Sequence, residues 1–294
     1  MEHKAGFVNI VGNPNVGKST LMNLLVGERI SIATFKAQTT RHRIMGIHNT
    51  ETTQIVFSDT PGIITPNYKL QESMLQFSKS ALTDADILLY VTDVVEQGTK
   101  HNDFIEKVSG LDVPVLVLIN KIDLSNQDQL SNLVEHWAKL LPGAEIIPIS
   151  AKTKFNVDYV MKRVTEMLPS SPAYFDKDQW TDKPARFFVT EIIREKILLY
   201  YDKEIPYAVE VVVEQFKDEK DKIAISAIIN VERESQKGII IGKQGKALKK
   251  VATEARLELE RFFGKKVFLE TFVKVDKNWR NSDKQLRNFG YQYE

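Results

Sequence analysis

The alternation of apolar and polar positions divides the chain into two regions of different pattern. From residue 7 to about 168, short and nearly continuous apolar runs alternate with stretches of helical period. The runs at 7–11, 86–94, 113–119 and 144–149 have the character of strands buried on both faces. Leu21, Met22, Leu24 and Leu25 recur at helical spacing and stop before Gly27; the stretches 69–82, 100–109, 126–140 and 156–168 read as further helices. Segments 44–48 and 53–58 flank a polar turn at 49–52 and predict a hairpin. Strands alternating with helices predict an α/β domain with a doubly wound, mostly parallel sheet. After residue 185 the pattern changes. Residues 186–200 predict an amphipathic helix. Val209, Val211 and Val213 then share one face of a strand, and Ile223, Ile225, Ala227, Ile229 and Val231 share one face of the next. Leu248, Val251, Ala255, Leu259 and Phe262 mark a long helix, and 266–275 is a last alternating strand. This order predicts a smaller α+β domain. Between the two regions, 169–184 carries Pro169, Pro172 and Pro184 and few aliphatic residues, as a boundary does. Its Tyr174, Phe175 and Trp180 predict that it lies against a surface. The expected division is 1–169, a linker at 170–184, and 185–294.

Composition narrows the classes. Of 294 residues, 43% are apolar, enough for real cores, and there are no cysteines. That excludes a disulfide framework, a thiolate metal site and a Cys nucleophile, and it fits a reducing, cytoplasmic compartment. No apolar run approaches the length of a membrane span. The first strand is entered by about Gly6, so neither a signal peptide nor a transit peptide is expected. The net charge of +1 hides an asymmetry: 1–170 carries 16 basic against 18 acidic residues, whereas 237–287 carries 14 against 6. The C-terminal third is a candidate polyanion-binding region, although a charge run also fits a solvated helix face.

Candidate chemistry lies at strand ends. Residues 12–20 read GNPNVGKST between a strand and a helix, which is the Walker A pattern. Gly12 and Gly17 let the loop of Asn13, Pro14, Asn15 and Val16 curl so that backbone N–H groups converge on an anion, and the following helix adds its positive dipole end. Lys18 supplies an ammonium to the outer phosphates, Ser19 a hydroxyl to Mg²⁺, and Thr20 continues the turn. Asn13 is expected to face outward. Residues 59–62 read DTPG: Asp59 is placed to hold hydrated Mg²⁺, and Gly62, after Thr60 and Pro61, to offer its N–H to a terminal phosphate. Residues 120–123 read NKID. Asp123 can accept two hydrogen bonds from the donors of guanine, which adenine lacks, and sites of this kind reject the deficient analogue by about 10⁴ to 10⁵. Asn120 can tie neighbouring loops together, and the Lys121 stem can cover the ring. In Ser150, Ala151 and Lys152, the Ala151 N–H is placed to meet the guanine oxygen. In the second region Gly242, Lys243, Gln244 and Gly245 form a G-x-x-G turn between helices. Ile241 precedes it, and Lys246, Lys249 and Lys250 follow. This is the KH arrangement, which clamps about four nucleotides of single-stranded nucleic acid. Ile239, Ile240 and Ile241 fit an apolar floor for bases or plain core. Trp279, Arg280 and Arg287 fit either an extended RNA surface or packing.

Taken together, 12–20, Thr39 with Thr40, 59–62, 120–123 and 150–152 resemble the five guanine-nucleotide motifs of the translation-factor-class GTPases. That resemblance implies that a loop threonine closes on Mg²⁺ and the terminal phosphate, Thr40 being the better match and Thr39 its rival. It also puts Ile63 where some relatives carry a water-orienting Gln, and it makes Asn15 the residue that holds K⁺ in part of the group. With Lys18, Thr40 and Asn15 as the catalytic set, slow intrinsic turnover is implied. With the KH module, and with the segments at 181–187, 191–196 and 231–245, the chain resembles the bacterial ribosome-assembly GTPases that carry a C-terminal KH domain (type II). The resemblance implies GTP and GDP as ligands, binding to the 3′ end of small-subunit (16S) ribosomal RNA, and a role in maturation of the 30S subunit. It also implies a monomer in the bacterial cytoplasm, with peripheral association at the membrane as a further expectation. In an alternative reading, a regulatory GTPase acts on a protein or membrane partner and uses the KH-like module as an interaction surface.

Overall fold

The computed structural model describes residues 3–96 and 101–291. The chain divides into two compact units, the first running to Asp182 and the second from Lys183.

The first unit is a six-stranded sheet flanked by helices. Its elements are β1 (Lys4–Gly12), α1 (Lys18–Val26), β2 (Ile44–Asn49), β3 (Thr53–Asp59), α2 (Lys69–Ser80), β4 (Ile87–Asp93), α3 (Asn102–Ser109), β5 (Val115–Asn120), α4 (Gln127–Leu140), β6 (Glu145–Pro148) and α5 (Val157–Met167). Lys100, expected to open the third helix, lies outside the described residues. The strand order is β2-β3-β1-β4-β5-β6, and only β2 runs antiparallel to its neighbour. β4 is buried along its whole length, which is why it reads as a nearly continuous apolar run; β3 is equally buried although Thr53, Gln54, Ser58 and Asp59 are polar. The chain leaves β1 between strands that continue in opposite directions across the sheet, the point at which such folds bind ligands. Register sets the site: Ile10 pairs with Asp59 and Asp93 with Asn120, so the P-loop, Asp59 and Asn120 emerge at one edge.

The segment expected as a linker is tied to this sheet. Trp180 O accepts from Ile47 N at 3.0 Å, the Thr181 hydroxyl donates to Met45 O at 2.8 Å, and Asp182 Oδ1 accepts from Met45 N at 2.9 Å. The fully buried Gln54 accepts from the N–H groups of Tyr174 and Phe175 at 2.7 and 2.9 Å. β2 is an edge strand with an unpaired row of polar groups, and these contacts cover it.

The second unit contains α6 (Ala185–Tyr200), β7 (Glu210–Asp218), β8 (Lys222–Val231), α7 (Glu234–Ile241), α8 (Lys246–Phe263), β9 (Lys266–Val275) and a short α9 (Asp283–Asn288). β7 and β8 form an antiparallel pair, and β9 returns parallel to β8 after the helical crossover. Val211, Ile225, Ile229, Val251, Ala255 and Leu259 belong to one apolar cluster, the faces that alternation and helical spacing predict. Trp279 is fully buried and donates from Nε1 to Ala208 O at 3.1 Å, so it packs and offers no surface. Tyr291 is also buried, its hydroxyl donating to Glu210 at 2.7 Å. Arg280 forms an ion pair with Glu232.

Candidate guanine-nucleotide site and nucleic-acid turn

Gly12 has φ 147°, and a Cβ there would lie 2.0 Å from Val91 O. Gly17 has φ 99°, and a Cβ there would lie 2.3 Å from Asn120 Nδ2. Only glycine fits either position. Between them Asn15 adopts a left-handed conformation at φ 65°, which Asn tolerates better than most residues. Lys18 opens α1 and is 6% exposed; its ammonium donates to the carbonyls of Gly12 and Asn13 at 3.0 and 2.8 Å. Burial pushes its pKa down to about 8, against the opposing pull of Asp59 and Glu96. A buried cation held by two backbone carbonyls is available to an anion that offers more.

Beside it stand three oxygen-bearing side chains. Ser19 Oγ lies 2.8 Å from Thr40 Oγ1 and donates to Asp59 Oδ2 at 2.7 Å, and Thr40 donates to the same oxygen at 3.2 Å. Asp59 is fully buried, and its Oδ1 has no hydrogen-bond partner. Burial raises its pKa, opposed by the Ser19 hydrogen bond and the Lys18 charge. A buried carboxylate oxygen left unpaired beside two hydroxyls suits a hard, hydrated cation such as Mg²⁺. The Thr39 hydroxyl is engaged elsewhere, with Thr34 and Lys36 O, so the structure brings Thr40 and not Thr39 to this cluster.

The base-recognition residues converge from two strand ends. Asn120, 2% exposed, donates to Val16 O at 2.7 Å and accepts from Ala151 N at 3.0 Å. It therefore ties three loops together, and it also engages the Ala151 N–H that was expected to face the base. Asp123 is exposed, and Ser150 Oγ donates to its Oδ1 at 2.7 Å. Lys121 reaches Asn15 O at 2.6 Å and pairs with Asp93 at 2.5 Å. Asn15, Lys18, Thr40, Gly62 and Lys121 line a cavity of about 340 Å³. Gly62 abuts Pro14, where a Cβ would come within 2.7 Å, and Ile63 donates its N–H to Gly12 O at 3.1 Å. The Thr60 hydroxyl is tied to Ile10 O at 2.7 Å, and the Ile63 side chain is buried in the core.

Asn13 corrects the expectation that it faces outward. It is 7% exposed and donates from Nδ2 to Glu96 Oε1 at 2.7 Å, because the loop after β4 carries a carboxylate back over the P-loop. Two further residues escaped the sequence reading. Arg43, just beyond Thr40, bonds Ser58 at 2.6 Å, Asn9 at 3.1 Å and Asp84 at 2.7 Å, which anchors the end of the loop. Its only sequence signal is its place in the basic run after the threonines. Tyr200 lies with its ring centroid 4.0 Å from the Lys250 ammonium.

In the second unit Gly242 has φ 70° and Gly245 φ 73°, with Gln244 also left-handed between them. A Cβ at Gly242 would meet that of Ala247 at 2.6 Å, whereas Gly245 faces open space. Lys243, Lys246, Lys249 and Lys250 are all exposed around the turn. Of the three isoleucines, Ile240 is fully buried core and Ile239 is half exposed.

Comparison with known proteins agrees with this geometry. Residues 7–121 match the family model of the 50S ribosome-binding GTPases, and 204–280 match that of the KH domain. A crystal structure of Era in complex with MgGDPNP and nucleotides 1506–1542 of 16S ribosomal RNA is 39% identical with a TM-score of 0.94, over 99% of this chain and 100% of that one. A single-residue variant of Aquifex aeolicus Era bound to GDP·AlF₄⁻ matches with the same identity, coverage and TM-score. With its P-loop unit, its KH unit and this likeness over the full length, the chain belongs to the Era family of GTPases.

Proposed function

We propose that this chain is a GTP-hydrolysing switch that binds the 3′ end of 16S ribosomal RNA and assists maturation of the 30S subunit. Residues 1–169 then act as the nucleotide domain, 170–184 as the join and 185–294 as the RNA-binding domain. The observation that carries the switch is the cluster of Ser19, Thr40 and Asp59 with an unpaired buried oxygen. Thr40 belongs to a loop, and its hold on this cluster makes that loop answer to what occupies the site. Ser19, Thr40 and Asp59 would hold Mg²⁺, which would supply neutralisation of the charge developing on the outer phosphates. Lys18 exchanges two carbonyls for phosphate oxygens, and the N–H groups of the P-loop surround the same anion. Asp123, steadied by Ser150, selects guanine; Asn120 holds the loops that carry the base and the phosphates in register. The Ile63 side chain has no polar atom with which to orient water, so positioning and charge neutralisation carry the reaction and intrinsic turnover is slow. Asn15 is offered as a ligand for K⁺.

On the RNA side, the left-handed Gly242–Gly245 turn lets backbone approach a sugar-phosphate chain, and four exposed lysines supply the charge. A cytoplasmic site of action fits, and among the described residues no helix is long and apolar enough to cross a membrane. The test is nucleotide choice: GTP is taken up and hydrolysed with Mg²⁺ at concentrations where ATP is not. Equal uptake of ATP and GTP contradicts the reading.

A further inference from the structure

The loop after β4 sets a carboxylate against the P-loop, and nothing in the proposed reaction uses it. Glu96 Oε1 accepts from Asn13 Nδ2, and Oε2 accepts from the Thr92 hydroxyl, both at 2.7 Å. Both donors are neutral. The neighbouring Asp93 is neutralised by Lys121 at 2.5 Å, whereas no ion pair reaches Glu96 among the described residues. The peptide of Asn13 connects the two charges: its side chain holds Glu96, and its carbonyl accepts from the Lys18 ammonium at 2.8 Å. Lys18 thus feels two carboxylates, Asp59 and Glu96. A divalent cation would offset Asp59, whereas among the described residues no ion pair is made to Glu96.

We propose that Glu96, held against the P-loop through Asn13, is a specificity-determining residue that lowers affinity for the nucleoside triphosphate relative to the diphosphate. The proposal rests on the guanine-nucleotide reading of the same site. A terminal phosphate brings additional negative charge toward a loop that already carries a carboxylate with no ion pair among the described residues, and it draws Lys18 away from the Asn13 carbonyl. The diphosphate adds less charge and is penalised less. The size expected of such a charge effect is roughly tenfold in the ratio of the two binding constants, about 1.4 kcal/mol. The carboxylate thereby keeps the switch from filling too readily with triphosphate.

Glu96→Gln isolates the charge. The Gln side-chain oxygen still accepts from Asn13 Nδ2, and the Thr92 hydroxyl turns to accept from the Gln amide. Asn13→Lys supplies a compensating cation from the other side. Binding of GDPNP and of GDP, each with Mg²⁺, is measured by calorimetry on the full chain and on both variants. The expected result is a rise of about tenfold in GDPNP affinity relative to GDP in both variants, with the GDP affinity of Glu96→Gln within about threefold of the unsubstituted chain. A ratio unchanged in Glu96→Gln overturns the proposal even if Asn13→Lys shifts it, because a new lysine can contact phosphate directly. Loss of GDP binding in both variants also overturns it and makes Glu96 a structural brace. If the unsubstituted chain binds neither nucleotide, the site reading itself fails and the proposal with it.

Discussion

Gly17→Ala places one methyl group where the structure has no room for it. The added Cβ would stand 2.3 Å from Asn120 Nδ2, at a backbone φ of 99° that side chains rarely adopt. Asn120 cannot simply step aside, since its amide bonds Val16 O at 2.7 Å and Ala151 N at 3.0 Å while only 2% exposed. The left-handed strain costs about 1–3 kcal/mol. A buried polar group that loses its partner costs about 1–3 kcal/mol more. Relaxation shares these terms, leaving about 3–4 kcal/mol against the bound geometry, which lowers nucleotide affinity roughly 100- to 1000-fold. Titration with a fluorescent GDP analogue reads this directly. Gly27→Ala is the control. Its φ is 86° with nothing within 4 Å of the added Cβ, so it costs about 1 kcal/mol of stability and leaves affinity unchanged. A Gly17→Ala variant that binds GDP within about threefold of the unsubstituted chain would refute the argument that Asn120 pins the site.

Other consequences can be measured independently. Lys18 has its pKa pushed down to about 8 by burial, and an arriving phosphate favours its charged form. Binding of GDP at pH 8.5 is therefore expected to take up a proton, and the uptake vanishes below about pH 7, where the lysine is already charged; calorimetry in buffers of different ionisation heat gives the count. Hydrolysis is expected to be faster in K⁺ than in Na⁺, with Asn15→Ala erasing the difference, while equal rates in the two salts discard a role for K⁺. Gly245→Asp adds a negative charge where a side chain meets open space, so it should weaken RNA binding at least tenfold without altering GDP affinity.

The parts of this molecule legible in its sequence are those set by local rules. Alternation located β8, because Ile223, Ile225 and Ile229 must all face one apolar layer. The P-loop was legible because close approach to Val91 and Asn120 permits only glycine at 12 and 17. What escaped depends on distant partners. The direction of Asn13 is set by Glu96, 83 positions away, across a register that no local period encodes. The Ala151 N–H is engaged by Asn120, which belongs to another strand. For Trp279 the sequence leaves surface and packing roles open, and the buried bond to Ala208 decides for packing. The aromatics of the join at 170–184 predict that it lies against a surface, but not which one; Thr181 pairs with Gly46 of β2, an edge strand open to whatever chain lies beside it.

The central claim is that one chain couples a guanine-nucleotide switch to an RNA clamp. Titrating a labelled single-stranded 16S ribosomal RNA 3′ segment against the protein loaded with GDPNP, and then with GDP, tests it most directly. The account predicts salt-sensitive binding that differs between the two nucleotide states and is lost in Gly245→Asp. Identical affinity in both states, or binding that survives the Gly245 substitution, would contradict it.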